Sequence, residues 1–449
     1  MKKDNYLRLI LILTLPFGLF NISRAEAISL DRAVAYALEN SPVLQGTVAD
    51  IRAGNETVKT AESGKLPVID LDYGLIYSDN PLVSLGSILN NRKVVANNFV
   101  PAALNDPGFS GNYFASLSLK LPLYTGGRLS ADIKQARAKH ALALAQHERS
   151  KSTVIYQVKR AYLLAQAAQQ AIRIARSSTD TAGMHVKTTE QLLAENRTVT
   201  SDKLTATVYY TSIKAVISQA QAQYAHALNS LKQVIGKDLS TDISIEPWKR
   251  VISPHKLPAI TVAESTALKN RSDLRSAEES IKAARARTDI AQSATKPQLG
   301  LELRSRLYAD NPMVDELSWG VLAVAKINLF SGGANKSRVS AAREETNRLQ
   351  AEKRNKELQI RKQVRDAFAS IEEGRIRLKL ASTNLTNART AVSLVNQRYG
   401  EGRTILIDLL QSEQALLKSR SESLNSRLLV EASILELEFA MDDYEVLEK

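Results

Sequence analysis

The sequence predicts a mainly α-helical chain with transmembrane β-structure: four strands per chain, brought by three copies to a twelve-stranded barrel, and long coiled-coil helices. Three observations predict it. One block of sequence occurs twice. Four segments of about ten residues alternate apolar and polar side chains. Two stretches, residues 128–193 and 334–399, hold no proline and keep a seven-residue apolar repeat.

The composition narrows the class before any motif is read. The chain has 449 residues, 44% hydrophobic and 24% charged, so it is neither disordered nor a helical membrane protein. Cysteine is absent, which removes disulfides, thiolate metal sites, cysteine nucleophiles and a lipidated N-terminal Cys. The five histidines are scattered, with no HxxxH or HExxH spacing, and neither a phosphate-binding GxxxxGK[ST] loop nor a GxGxxG turn is present. No cofactor or metal is implied, and nothing points to an enzyme.

Residues 1–27 read as a signal peptide: Lys2, Lys3 and Arg8 precede an apolar run over 9–20, and Ala25-Glu26-Ala27 supplies small residues at the cleavage position. That run is shorter than the ~20 residues of a membrane helix. Cleavage after Ala27 lowers the formal charge from +13 to +11. The remaining positive charge is spread along helices, and an exported chain rarely meets nucleic acid, so no nucleic-acid partner is expected.

The mature chain is one design written twice. Ala37-Leu38-Glu39-Asn40 aligns with Ala267-Leu268-Lys269-Asn270 at an offset of 230, which also pairs Pro67 with Pro297. Leu123-Tyr124-Thr125-Gly126-Gly127 aligns with Leu329-Phe330-Ser331-Gly332-Gly333 at an offset of 206, which persists to Arg197-Thr198-Val199 and Arg403-Thr404-Ile405. The offsets differ by 24, so the first repeat carries 24 extra residues between its blocks. The expected divisions are a first repeat over 28–235, a linker over 236–260 that packs as a small irregular belt, and a second repeat over 261–449.

Each repeat opens with a helix, 29–64 in the first, capped by Ser29 and stopped by Pro67, which has no N–H to donate. Hairpins follow over 67–122 and 297–330. Ile69, Leu71, Tyr73, Leu75 and Tyr77 oppose Asp70, Asp72 and Gly74, with Ile76 an exception. Tyr113, Ala115, Leu117, Leu119 and Leu121 oppose Asn112, Ser116, Ser118 and Lys120, with Phe114 out of pattern. The second repeat does the same, with Leu299, Leu301 and Leu303 against Gln298, Glu302 and Arg304, then Leu317, Trp319 and Val321 against Ser318 and Gly320, with Leu322 and Val324 as exceptions. An ordinary soluble sheet also alternates; the export signal and the absence of other core strands favour a barrel. Four strands cannot close one, because the smallest have ~8 and open edges are not tolerated in lipid.

Long helices over 128–193 and 334–399 follow the Gly126-Gly127 and Gly332-Gly333 turns. Val364, Ile371, Leu378, Leu385, Val392 and Tyr399 recur every seven residues, with Ala367, Gly374, Ala381 and Ala388 in the companion seam. A 3.5-residue repeat implies left-handed supercoiling, and small residues let backbones approach closely. Short turns at 194–199 and 400–405 lead to return helices over 200–235 and 406–447.

Residues 30–44 and their repeat at 263–274, the glycines in 121–128 and 327–333, and the tip YGEGRTILIDLL over 399–410 together resemble the TolC-like outer-membrane efflux family, the outer-membrane component of tripartite export systems. The resemblance covers essentially the whole mature chain. It implies a homotrimer in outer-membrane lipid, with a periplasmic tunnel that meets a periplasmic adaptor (membrane fusion) protein and an inner-membrane pump of RND or ABC type. The extra residues, within 79–111, become the larger extracellular loop.

The resemblance also implies a periplasmic entrance closed by polar residues past the tip turn. Asp202 and Asp408 match that position, with Ser201 and Gln411 beside them and Arg403 or bound cations to offset the charge of three clustered acids. A second acid three residues on is common in the family; here Thr205 and Gln411 stand there, so a double acidic ring is not implied. On residues alone, an Asp at a helix start complements the helix dipole. Adaptor contact falls on Arg197, Thr198 and Val199 with Gly402, Arg403 and Thr404, residues that a tight turn alone also accounts for. The expected function is a passive exit duct for efflux or type I secretion. The alternative is a periplasmic coiled-coil scaffold or adaptor without a channel, which explains the heptads but not two pairs of strands.

Overall fold

The structure is a computed structural model that describes residues 27–248, 257–310, 312 and 316–443. The expected signal segment up to Glu26, residues 249–256 of the linker, residues 311 and 313–315 of the second hairpin and residues 444–447 of the expected return helix lie outside the described residues.

In chain order, β1 (Ala27–Ile28) leads into α1 (Leu30–Asn40) and α2 (Pro42–Ser63), then β2 (Val68–Ser78). The 24-residue insertion follows as α3 (Pro81–Asn90), a 3₁₀ turn (Ala96–Phe99) and α4 (Pro101–Asn105). Then come β3 (Ser110–Tyr124), α5 (Arg128–Ala194), α6 (Thr200–Ile235) and β4 (Ser244–Ile245). The second repeat supplies α7 (Ile260–Asn270), α8 (Ser272–Ser293), β5 (Gln298–Ala309), β6 (Glu316–Lys326), α9 (Ala334–Gly400) and α10 (Leu406–Met441). The first expected helix is therefore two. Ser41 adopts extended backbone (φ −62°, ψ 122°) because the following proline disfavours helical geometry there, and Pro42 then starts α2.

The same break recurs in the second repeat without a proline. Arg271 is extended (φ −61°, ψ 117°) and buried; its guanidinium donates to Asp273 Oδ1 at 3.0 Å and Oδ2 at 2.7 Å and to Gln363 at 2.5 Å. Helix α10 ends at Met441, where Asp442 takes left-handed backbone (φ 53°).

The four long strands form one antiparallel sheet in the order β2-β3-β5-β6. Its register gathers most apolar side chains on one face, with Ser305 the exception in the rows below, and leaves Phe114, Tyr308, Leu322 and Val324 on the other. Ile69, Leu119, Leu303 and Val321 form one row, and Leu71, Leu117, Ser305 and Trp319 the next. The opposite face carries Asp70, Ser118, Arg304 and Gly320, then Asp72, Ser116, Arg306 and Ser318. In the single chain Trp319 is 75% and Leu71 72% exposed, the signature of a face that meets an apolar medium. Strands β2 and β6 leave open edges. Among the described residues no helix is long and apolar enough to cross a membrane.

Paired left-handed glycines turn each sheet into its long helix: Gly126 and Gly127 (φ 65° and 88°), Gly332 and Gly333 (φ 59° and 85°). Two successive positive φ values strain any residue with a Cβ. The hydroxyl just ahead caps the helix both times, Thr125 accepting from Leu129 N at 3.2 Å and Ser331 from Asn335 N at 3.3 Å.

Helices α5 and α9 each have 67 residues, ~100 Å at 1.5 Å per residue. Their heptad rows bury Val158 and Ala165 against α1 and α6, and Val364 and Ile371 against α7 and α10. Burying each large apolar side chain contributes roughly 1.5–3 kcal/mol. The linker forms more than irregular chain: β4 pairs in parallel with β1, Ile28 opposite Ile245. Tyr162 clamps them, donating to Ile28 O at 2.9 Å and accepting from Glu246 N at 3.1 Å.

Candidate periplasmic gate and lumen

Both helical hairpins close with the same turn. Helix α5 ends where Arg197 N bonds Leu192 O at 2.8 Å, around left-handed Asn196 (φ 59°). Helix α9 ends where Arg403 N bonds Arg398 O at 2.8 Å, around left-handed Gly402 (φ 70°). This six-to-one bond satisfies carbonyls that a helix end leaves open.

The return helices then begin alike. Thr198 Oγ1 donates to Asp202 Oδ2 at 2.6 Å, and Thr404 Oγ1 to Asp408 Oδ2 at 2.6 Å. Each aspartate sits in the first turn, where the positive end of the helix dipole favours a carboxylate. Asp202 is half-buried; Ser201, Asp408 and Gln411 are exposed.

Arg403 does not face Asp408 within the chain. Its Nη1 bonds Glu401 at 3.0 Å, as Arg197 Nη1 bonds Glu195 at 3.1 Å. The reason is local: the left-handed turn folds the arginine back over the acid two residues before it, while the threonine occupies the aspartate. Val199, Gly402 and both arginines are exposed on the turns, whereas Thr198 and Thr404 are half-buried by their aspartates.

One layer further up lies a set that pattern reading missed. His185 Nε2 on α5 lies 3.3 Å from Glu413 Oε1 on α10, and both are buried. Burial pushes the nearby Tyr209 hydroxyl up to about 12, and the Glu413 charge adds to it. The signal was present: Leu406, Leu409, Leu410, Glu413 and Leu416 share one helical stripe, so Glu413 is an acid at an apolar position and needs a partner.

At the sheet end, the polar face is laced by ion pairs, Lys120–Asp70 at 3.1 Å and Arg304–Glu302 at 2.6 Å. Arg306 lies between the Phe114 and Tyr308 rings, 5.5 and 5.6 Å from their centroids. The insertion folds onto this same face: Asn91 Nδ2 donates to buried Asn112 at 3.0 Å. It then reaches the second hairpin, where Arg92 donates to Leu317 O at 3.2 Å and pairs with Glu316, and Lys93 pairs with Asp310 at 2.7 Å.

Comparison with known proteins agrees with this geometry. The family model for outer membrane efflux protein matches residues 33–237 and 264–441. The alkaline protease secretion protein AprF of Pseudomonas aeruginosa is 23% identical over 428 residues, covering 92% of this chain and 84% of that protein. The toluene efflux pump outer membrane protein TtgI of Pseudomonas putida is 22% identical over 421 residues, covering 89% and 82%. The outer-membrane channel OprN superposes with a TM-score of 0.79 at 19% identity, over 92% of this chain and 89% of that one. A match across both repeats, on a sheet with one apolar face and two long helical hairpins, places this chain in the outer membrane efflux protein family.

Proposed function

We propose that the chain is the passive exit duct of a tripartite efflux or type I secretion system, working as a homotrimer with a periplasmic adaptor and an inner-membrane pump. The carrying observation is the four-stranded sheet, mainly apolar on one face, carrying most of its polar residues on the other, and open at both edges. Open edges in lipid cost several kcal/mol for each unsatisfied backbone group. Three copies edge to edge satisfy them all and put Asp70, Lys120, Glu302 and Arg304 on a water-filled lumen. No reaction is assigned to the chain; it supplies a path, and energy comes from the pump.

In this reading Asp202 and Asp408 line the periplasmic entrance, where the threefold axis repeats each carboxylate three times. Arg197, Thr198, Val199, Gly402, Arg403 and Thr404 form the surface that meets the adaptor. The test is cross-linked mass and single-channel conductance of protein extracted from outer membranes. A trimer with a small conductance supports the duct; a soluble monomer or dimer without conductance overturns it.

A further inference from the structure

Midway along the helices, a concavity of about 450 Å³ opens between α5 of the first repeat and α9 and α10 of the second. Arg173, Arg389, Arg420 and Arg427 line it, together with Trp248 from the linker. Four guanidiniums in one hollow repel one another, yet Arg173, Arg389 and Arg420 have no carboxylate partner among the described residues. The acid beside the hollow, Glu431, accepts from Arg427 Nε at 3.4 Å and from the Trp248 indole N–H at 3.2 Å. The Arg427 guanidinium stacks over the indole, 4.3 Å from its centroid, and its Nη2 is buried without a hydrogen-bond partner. Ile174 and Leu424 add apolar lining, which strengthens any charge interaction made there.

We propose that this hollow binds a small multivalent oxyanion, a polyphosphate or a polycarboxylate. Guanidiniums present planar forks that match such oxygens two at a time, and the volume suits a small molecule. The site lies ~68 Å along α5 from its start beside the sheet, at 1.5 Å per residue, so the ligand is a soluble periplasmic anion and not a lipid headgroup. Because its arginines come from both repeats, a bound anion ties the first helical hairpin to the second.

The test uses the detergent-solubilised full-length protein carrying Trp319→Phe, which leaves Trp248 as the sole tryptophan. Pyrophosphate and citrate are titrated separately, with sodium chloride at matched ionic strength as control. The expected result is a saturable change in Trp248 fluorescence with one or both anions, separating phosphate from carboxylate chemistry. Arg389→Ala and Arg420→Ala should each weaken it about tenfold or more, the worth of one charge-assisted hydrogen bond. A response equal to that of sodium chloride, or one indifferent to both substitutions, overturns the site. The fluorescence readout is independent of conductance, so this inference and the duct reading fail separately.

Discussion

Thr404 Oγ1 donates to Asp408 Oδ2 at 2.6 Å, and 206 positions earlier Thr198 makes the same 2.6 Å bond to Asp202. The duplicated bond fixes each carboxylate at the start of a return helix, so any gating charge is held rigidly and in both repeats.

Asp408→Ala therefore has two separable effects. Loss of the first-turn charge costs about 0.3–1 kcal/mol of stability, and loss of the acid raises basal single-channel conductance. Thr404→Val removes the hydroxyl bond but keeps the charge, and should leave conductance closer to wild type. Equal conductance in Asp408→Ala and wild type removes Asp408 from the gate.

Arg403→Glu places a second acid beside Glu401 on an exposed turn. Export in cells with the matching adaptor and pump should be lost while the trimer still forms, as judged by cross-linking. Surviving transport moves the docking surface elsewhere.

The Arg271–Asp273 pair predicts an acid-sensitive break between α7 and α8. Burial raises the Asp273 pKa, but the Arg271 hydrogen bonds and the charges of Arg271, Arg149 and Lys356 outweigh it, leaving the carboxyl below its usual range. A depressed folded pKa stabilises the fold above the unfolded value of about 3.9. That stability is lost as pH falls from there through the folded pKa. Asp273→Ala strands the buried Arg271 and costs about 3–5 kcal/mol near neutral pH. The gap between wild-type and variant thermal midpoints should close as pH drops below about 4.

Gly374 faces Val430 across α9 and α10. A Cβ there would lie 2.8 Å from Val430 Cγ2 and 3.4 Å from its backbone. Gly374→Ala gains roughly 1 kcal/mol of helix propensity but overpacks by about 1–3 kcal/mol, so the thermal midpoint falls or stays level. In a Val430→Ala background the same substitution should stabilise, giving a coupled double-mutant cycle.

The insertion is tied across the polar face by Asn91, Arg92 and Lys93. Arg92→Ala with Lys93→Ala should release it and raise conductance or its fluctuations from the outer side. A trace identical to wild type means the insertion does not restrict the lumen.

Much of the architecture was legible because periodicity is a local property. Alternation at 69–77 and 113–121, the heptads from Val158 and Val364, and the duplicated glycine pairs need only neighbouring residues to be read. The break at Arg271 was hidden because no proline announces it: a buried arginine, held by Asp273 and by Gln363 some 92 residues away, supplies the reason. The partner of Arg403 within the chain was equally hidden: the left-handed Gly402 turns it onto Glu401.

By itself, then, the sequence determined the repeat, the fold class, the sheet's two faces and the position of the tips, since each follows from side-chain spacing along one element. Tertiary structure alone decided that the insertion folds over the polar face, that His185 meets Glu413, and that four arginines from two repeats gather around Trp248. Those are contacts between elements far apart in the chain, set by how helices pack and in which rotation. No local period encodes them.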